Sequence, residues 1–194
     1  MARGIPRFPV RDIPRFVDRF LNLIRFSDSP LDENHFLSPL IQEYQAWREQ
    51  PSYSGIPHRV LQLAYTSASV DLFKHDWSRR KVRHWLVGRI RHWEQAKGIL
   101  FEVRAAVAYL YDHKEVHWGR NNTGTPVPDI QVTTNSGKIV FTECTRKSER
   151  PRRSIDKDIM IRDIVLTLKD KAQQRQDMTQ PLHLVIYTPE HHEW

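Results

Sequence analysis

The sequence has a single cysteine, Cys144, among its 194 residues. An internal disulfide is therefore excluded, and so is a zinc site that draws on several cysteines. Long apolar runs are missing too, because the longest one, residues 105–111, falls far short of the roughly 20 residues that cross a bilayer. The opening residues, MARGIPRFPVRD, lack the apolar segment of a secretion signal. These absences predict a cytoplasmic protein with no membrane partner.

Glycine is also scarce, with 7 residues, and no G-x-x-x-x-G-K-[ST] loop occurs. Because that loop cradles nucleotide phosphates in many ATPases, ATP hydrolysis by this chain is not expected. The overall composition is that of a folded protein, with 39% hydrophobic and 27% charged residues. The length suits one domain, or one domain with a helical extension.

An excess of positive charge is the first indication of function. Lys and Arg number 30 against 23 Asp and Glu, which gives a net charge of +7. Residues 1–97 hold 16 basic and 10 acidic side chains, whereas residues 98–194 hold 14 and 13. The basic surface is therefore expected in the N-terminal half, and a polyanion such as nucleic acid is the expected partner.

Residues 1–97 are predicted to form a basic region of short helices separated by prolines. Apolar residues recur at helical spacing in two of its segments, which predicts two core-facing helices. These residues are Phe20, Leu21, Leu23 and Ile24 in the first segment, and Leu37, Leu40, Ile41, Tyr44 and Trp47 in the second.

The segment 74–97 has the pattern of one basic amphipathic helix, and two interpretations of it are open. In the first, Trp85 and Trp93 pack inward beside the aliphatic residues while the arginines are solvated. In the second, the helix follows a phosphate backbone and a tryptophan stacks on a base. The second interpretation assigns nucleic-acid contacts to Arg79, Arg80, Lys81 and Arg83.

Residues 98–194 are predicted to form an α/β domain with the element order α-β-β-β-α-β. Strands are predicted at 115–119, 129–133, 138–145 and 182–187, and turn residues 134–137 join the second and third strands into a hairpin. The helical crossover from the third strand to the last predicts that these two run parallel in a mixed central sheet. The crossover helix is predicted from Ser154 to about residue 174, with a buried side formed by Ile161, Ile164, Val165, Leu168 and Ala172.

Two acids fall on neighbouring strands of this domain. Asp129 follows Pro128 at the start of the second predicted strand, and Glu143 lies in the third, within KIVFTECTRK. Strand alternation places Glu143 on the same face as Ile139 and Phe141. A desolvated carboxylate in an apolar row is costly unless it is compensated, and a second carboxylate on the partner strand would create a site for a hard divalent ion.

The order of four features resembles the PD-(D/E)xK nuclease superfamily. These features are the helix acid Glu102, PD at 128–129, the hairpin, and ECT at 143–145. The resemblance covers residues 98–187 and implies a restriction-endonuclease-like αβββαβ core after an α-helical N-terminal region. It also implies a Mg²⁺- or Mn²⁺-dependent nuclease that hydrolyses phosphodiester bonds, favours DNA over RNA and often works as a homodimer. By the same resemblance, the metal ligands are Asp129, Glu143, the backbone carbonyl of Cys144, and Glu102.

One position departs from the family pattern. The motif lysine belongs two residues after Glu143, where this chain has Thr145. A threonine hydroxyl can position a water or a phosphate but supplies no positive charge, so Lys147, on the same alternating face, is the expected replacement. The basic run around Lys147 is predicted to guide phosphates to the site. Its members are Arg146, Arg150, Arg152 and Arg153.

Each acid also has a structural interpretation. Asp129 would then start a turn or cap a strand, Glu143 would pair with Arg146 or Arg104, and Glu102 would be a solvated helix acid. Two further functions stay open: the same fold without catalysis as a nucleic-acid-binding or assembly subunit, and a partner-binding protein whose charge is unrelated to nucleic acid. Steep salt-sensitive DNA binding separates the last of these from the others.

Overall fold

The chain forms two compact units, Met1–Ala108 and Tyr109–Glu193. The computed structural model describes residues 8–25, 31, 34–50, 55–112, 115–118, 129–146, 157–174 and 182–187. The division falls later than the predicted boundary after residue 97, and both points lie within one continuous helix, α6 (Trp93–Asp112). The helical N-terminal unit therefore includes most of the helix that was predicted to open the α/β domain.

Three helices build the first part of the N-terminal unit: α1 (Ile13–Ile24), α2 (Ser38–Glu49) and α3 (His58–Asp71). α3 packs against both of the others. Both predicted core stripes are confirmed in their main members, since Phe20, Ile24, Leu37 and Tyr44 are all at most 2% exposed. α1 and α2 each have a proline in the first turn, where the missing N–H would have no intrahelical partner.

The predicted single helix over 74–97 is wrong. The segment forms α4 (Lys74–Ser78), α5 (Arg80–Arg91) and the start of α6, with extended backbone at Arg79 and His92. Leu86 and Ile99 are both fully buried, yet on one continuous helix they would lie about 140° apart. The break at His92 allows both apolar stripes to face the core of the unit.

The second unit contains a sheet with the order β1-β2-β3-β4. Its strands are β1 (Glu115–Trp118), β2 (Ile130–Thr133), β3 (Ile139–Arg146) and β4 (Leu182–Tyr187). β1, β2 and β3 are antiparallel neighbours, and β4 runs parallel to β3. The predicted hairpin and the predicted parallel pairing of the third and last strands are both present, so the α/β composition is confirmed.

The turn between β2 and β3 is closed by backbone hydrogen bonds. The amide of Thr134 donates to the carbonyl of Lys138 at 2.8 Å, and the amide of Gly137 donates to the carbonyl of Thr134 at 2.9 Å. Gly137 has φ 78°, a conformation that glycine adopts without steric cost. This turn fixes the register of the hairpin, which in turn decides which residues of β2 and β3 oppose each other.

The crossover helix is α7 (Lys157–Gln174), and its predicted buried side is wrong. Ile161, Val165 and Leu168 are 55%, 42% and 47% exposed, whereas Thr167 is 7% exposed. At 100° per residue, Thr167 lies well to one side of that apolar stripe. The helical spacing of the apolar residues correctly predicted a helix here. It did not predict which side of that helix is buried. Ser154 and the side chain of Ala172 lie outside the described residues.

No helix within the described ranges is both long enough and apolar enough to span a membrane.

Candidate metal site and basic surface

Asp129 and Glu143 lie opposite each other at the end of the β2–β3 hairpin. The outermost pair of the ladder joins Ile130 to Thr142, Asp129 immediately precedes β2, and continuing the register by one residue sets Asp129 opposite Glu143. Directly opposed residues of an antiparallel pair point to the same face of the sheet, with Cβ atoms about 5 Å apart. The register therefore brings the two predicted acids to the same end of the hairpin.

A hydrogen bond fixes the position of the first carboxylate. The backbone amide of Cys144 donates to Oδ2 of Asp129 at 2.7 Å. A carboxylate that accepts a main-chain N–H is a charge-assisted acceptor, which makes such bonds short and strong. Asp129 is thus held against β3 at the residue that follows Glu143, and its predicted structural role as a cap at the strand start agrees with this contact as well.

Glu143 is almost completely buried, at 2% exposure. Its strand neighbours on the opposite face, Thr142 and Cys144, are buried and half-buried. The predicted apolar row before it is only partly inside, since Ile139 is 37% exposed. A carboxylate this buried is costly unless a cation or hydrogen bonds compensate it.

Glu102 has a defined partner in the first unit. Its Oε1 lies 2.8 Å from Nη2 of Arg89, and its Oε2 lies 3.1 Å from Nη1 of the same side chain. Glu102 is 5% exposed, so the interpretation of a solvated helix acid is wrong. The ion pair joins α5 to α6, which means that this carboxylate already performs a structural task within the N-terminal unit.

The predicted cationic part of the site falls mostly outside the described residues. This applies to Lys147, Arg150, Arg152 and Arg153. Thr145 and Arg146 lie in β3, in register with Ile186 and Tyr187 of β4. The side chains of Thr145 and Arg146 are outside the part of the chain that the structure describes. Arg104, the other predicted partner of Glu143, donates to Oγ1 of Thr66 at 3.4 Å.

The donor set suits a hard divalent cation. Mg²⁺ prefers oxygen ligands and is commonly held by one or two carboxylates together with water and substrate phosphates. Asp129, Glu143 and the carbonyl of Cys144 offer oxygens at one end of the hairpin. Over the described ranges, no group of three or more His, Cys, Asp or Glu side chains could hold a metal ion. A cation here would therefore depend on two carboxylates, with water or substrate oxygens completing its shell.

The basic residues of α4 and α5 divide into exposed and structural ones. Arg79 and Arg80 are exposed, Arg83 is half-buried, and the side chain of Lys81 lies outside the described residues. Arg91 donates from Nη1 to the carbonyl of Ile24 at 2.8 Å, which caps the C-terminus of α1. The arginines of this segment are thus not simply a solvated outer face.

Trp85 and Trp93 are on the surface rather than in the core. Trp85 is 38% exposed and Trp93 is 59% exposed, so the interpretation in which they pack inward is wrong. The guanidinium carbon of Arg89 lies 5.1 Å from the centre of the Trp85 ring, a cation–π arrangement. Residues 85 and 89 are four apart on α5, so their contact could have been predicted from helical spacing.

Two structural partnerships had no recognisable signal in the sequence. Arg89 and Glu102 are on different helices, and no local spacing rule joins them. His35 is fully buried, accepts the amide of Leu37 at Nδ1 and donates from Nε2 to the carbonyl of Ile90 at 2.8 Å. This histidine connects the segment before α2 to α5 and is a packing residue.

Comparison with known proteins returned no match: no protein-family model, no curated protein and no solved structure is similar to this chain.

Proposed function

We propose that this protein is a metal-dependent nuclease that hydrolyses phosphodiester bonds, with DNA as its substrate. The observation that carries the proposal is the opposition of Asp129 and Glu143 at the end of the hairpin. Support from the fold is the antiparallel β1–β2–β3 arrangement followed by a helical crossover to a parallel strand. This order agrees with the restriction-endonuclease-like core that the sequence resembles, and that core is part of the proposal.

In this proposal each residue of the site has a distinct task. Asp129 and Glu143 hold a Mg²⁺ or Mn²⁺ ion, and the amide of Cys144 keeps the Asp129 carboxylate against β3. A divalent cation in such a site supplies Lewis acidity, which activates water and neutralises charge on the phosphodiester. Thr145 orients water or phosphate, and Lys147 supplies the positive charge that the threonine lacks.

The N-terminal unit supplies the nucleic-acid contacts in this proposal. Arg79 and Arg80 are exposed at the junction of α4 and α5, and Trp85 is exposed farther along α5 beside Arg89. Arginines attract the phosphate backbone, and an exposed tryptophan offers a surface for base stacking. The proposal also includes a second set of phosphate contacts, made by Arg146, Arg150, Arg152 and Arg153. It further includes cleavage by a homodimer.

A cleavage assay tests this proposal directly. Linear, circular and single-stranded DNA, and RNA, are incubated with the purified protein and Mg²⁺ or Mn²⁺, and with EDTA as the metal-free control. We expect metal-dependent cutting of DNA that is lost in Asp129→Ala and in Glu143→Ala. Glu115→Ala, which removes an exposed carboxylate from β1 of the same sheet, is the matched control and should cut at the wild-type rate.

A second function is nucleic-acid binding without cleavage. Two observations favour it: Thr145 stands at the position of the motif lysine, and Glu102 is bound to Arg89. In that case no substrate would be cut under any condition. Salt-sensitive DNA binding would persist, and it would survive both Asp129→Ala and Glu143→Ala. Absence of both cutting and salt-sensitive binding would contradict the two functions together.

A further inference from the structure

The helix α5 has one buried side and one exposed side. The residues of the buried side, all at most 4% exposed, are Val82, Leu86, Val87 and Ile90. The described residues of the exposed side, which we name the outer arc, are Arg80, His84, Trp85 and Gly88. At about 100° per residue, Arg80 and Trp85 are about 140° apart, and His84 and Gly88 lie between them. A ligand that contacts both Arg80 and Trp85 therefore passes over Gly88 or His84.

Gly88 is an exposed glycine in the interior of a helix. Glycine destabilises a helix interior relative to alanine, because it loses more conformational freedom when the chain folds. Packing does not require it at this position. A Cβ atom built on Gly88 would meet none of the described atoms within 4 Å, its chain neighbours and its own helix backbone aside. Close approach of a ligand to the helix backbone is a function that glycine serves at such a position.

The missing side chain at Gly88 also leaves Trp85 accessible. Long side chains on a helix lean towards the N-terminal turn, so a side chain at position 88 would lie over residues 84 and 85. With glycine there, Trp85 is 38% exposed. The glycine and the tryptophan thus contribute to one accessible surface on the outer arc.

Trp85 is held in position by a chain of contacts. The guanidinium of Arg89 lies over the indole, 5.1 Å from its centre, and Glu102 binds that guanidinium through two oxygens. Because Glu102 compensates the charge of Arg89, this arginine is suited to stacking rather than to attracting phosphates. Nucleobases stack on aromatic rings and on guanidinium planes. Trp85 and Arg89 therefore form a stacking platform whose parts are already ordered before a ligand binds, which lowers the entropy cost of binding.

The phosphate contacts of a ligand on this surface fall to other residues. Arg79 and Arg80 are exposed at the N-terminal end of α5, and the sequence of α5 has no Asp or Glu. The nearest acids along the chain are Asp76 in α4 and Glu94 in α6. The outer arc thus combines cations at one end with a stacking platform farther along, which is the combination that single-strand binding proteins use.

The platform favours a single strand over a duplex. In a duplex the faces of the bases are stacked on one another, and a base reaches a surface aromatic ring only after it has been unstacked and unpaired, at a cost in free energy. The bases of a single strand are accessible without unpairing.

We propose that the outer arc of α5 binds a single strand of DNA. One base stacks on the platform of Trp85 and Arg89, Arg79 and Arg80 contact phosphates, and the strand crosses close to the helix backbone at Gly88. The inference rests on the proposed nucleic-acid substrate and names its class, which is a single-stranded segment rather than a duplex.

Equilibrium binding in EDTA tests this surface without any contribution from the metal site. The probes are three fluorescent oligonucleotides of equal length: a single strand, an abasic single strand that keeps the phosphates but lacks the bases, and a duplex. We expect the single strand to bind about tenfold more tightly than the abasic strand, because only the former has a base to stack.

Gly88→Gln covers the platform without changing the charge. The affinity for the single strand should fall about tenfold, to the level of the abasic strand, while the affinity for the duplex stays constant. The Tm should rise, because glutamine has a higher helix propensity than glycine, so the loss of affinity cannot come from unfolding. Ala108→Gln, which adds the same side chain at an exposed position of α6, is the matched control and should bind like the wild type.

A double variant tests whether Gly88 acts through Trp85. Trp85→Leu/Gly88→Gln should bind the single strand no more weakly than Trp85→Leu alone, because both substitutions remove the same stacking contact. Losses that add in the double variant would contradict a shared contact.

Three results would overturn the inference. Equal affinity for the single strand and the abasic strand would remove the stacked base while leaving phosphate contacts, and with them the proposed function, intact. Unchanged single-strand affinity in Gly88→Gln would place the strand elsewhere. An equal loss of duplex affinity in that variant would remove the selectivity for single strands. Failure of all three probes to bind would contradict the proposed function as well.

Discussion

Arg89 and Glu102 form a two-point ion pair that fastens α5 to α6, with N–O distances of 2.8 and 3.1 Å. The side chain of Glu102 is 7% exposed and that of Arg89 is 28% exposed, so water screens the pair only partly. The same guanidinium lies over the ring of Trp85. One arginine therefore links the packing of two helices to an exposed aromatic surface.

We expect Glu102→Leu to destabilise the protein by about 2 kcal/mol, because it leaves the charge of Arg89 without this carboxylate in a half-buried place. The double variant Arg89→Leu/Glu102→Leu should recover much of that loss. Denaturant unfolding of the single and double variants measures both effects. A Glu102→Gln variant of unchanged stability that loses metal-dependent cleavage would instead assign this carboxylate to the metal.

Asp129 combines a charge with a structural hydrogen bond, and two substitutions separate these roles. Asp129→Asn keeps an oxygen that can accept the amide of Cys144, whereas Asp129→Ala removes it. The alanine variant should be less stable than the asparagine variant by about 1 kcal/mol. Added Mg²⁺ should raise the Tm of the wild type, because a ligand that binds the folded state stabilises it, and both variants should lose that rise. A Mg²⁺-dependent rise that persists in Asp129→Asn would argue against the metal site.

The phenol of Tyr44 should make the protein sensitive to alkali. Burial, together with a 3.0 Å hydrogen bond to Asp18 and the charge of that carboxylate, raises the pKa of Tyr44 from 10.0 to about 12, and Arg48 opposes the shift. The folded state thus keeps this proton when the unfolded state has lost it. The stabilisation is fully present below pH 10 and is lost as pH rises towards 12.

The stability of the Tyr44→Phe variant should not show this loss at high pH. Between pH 10 and 12 the wild type should lose on the order of 2 kcal/mol more unfolding free energy than the variant. Ultraviolet titration of tyrosinate should show one tyrosine that ionises near the unfolding transition in the wild type and not in Tyr44→Phe. If the stability of the two proteins falls in parallel as the pH rises, ionisation of Tyr44 does not contribute to the loss of stability in alkali.

Trp85 should contribute to nucleic-acid binding through stacking. Trp85→Leu should weaken binding of single-stranded DNA about tenfold, since base–aromatic stacking contributes about 1–3 kcal/mol per base. Tyr111→Leu is the matched control, because Tyr111 is 52% exposed on α6 and lies outside α5. Fluorescence anisotropy at several salt concentrations measures the effect, and the salt slope should stay constant because no phosphate contact is removed. Equal losses in both variants would argue against stacking at this position.

Local sequence patterns were sufficient to predict most of the secondary structure and strand pairing of the second unit. Alternation and turn residues predicted the hairpin, and the helical crossover predicted a parallel β4, because strand pairing across a short turn and after a helix follows from local geometry. The opposition of Asp129 and Glu143 follows from the same register. This part of the candidate site was therefore predictable from the sequence.

Local sequence patterns were enough to predict most of the helices and strands and their apolar stripes, but not the division of segment 74–97 into three helices. The partners of those apolar stripes depend on how the helices pack. The break at His92, the pairing of Glu102 with Arg89 and the exposure of Ile161 on α7 all depend on the directions in which helices pack. Helical periodicity repeats within one element, whereas contacts between elements depend on residues far apart in the chain, and so a local pattern cannot specify them.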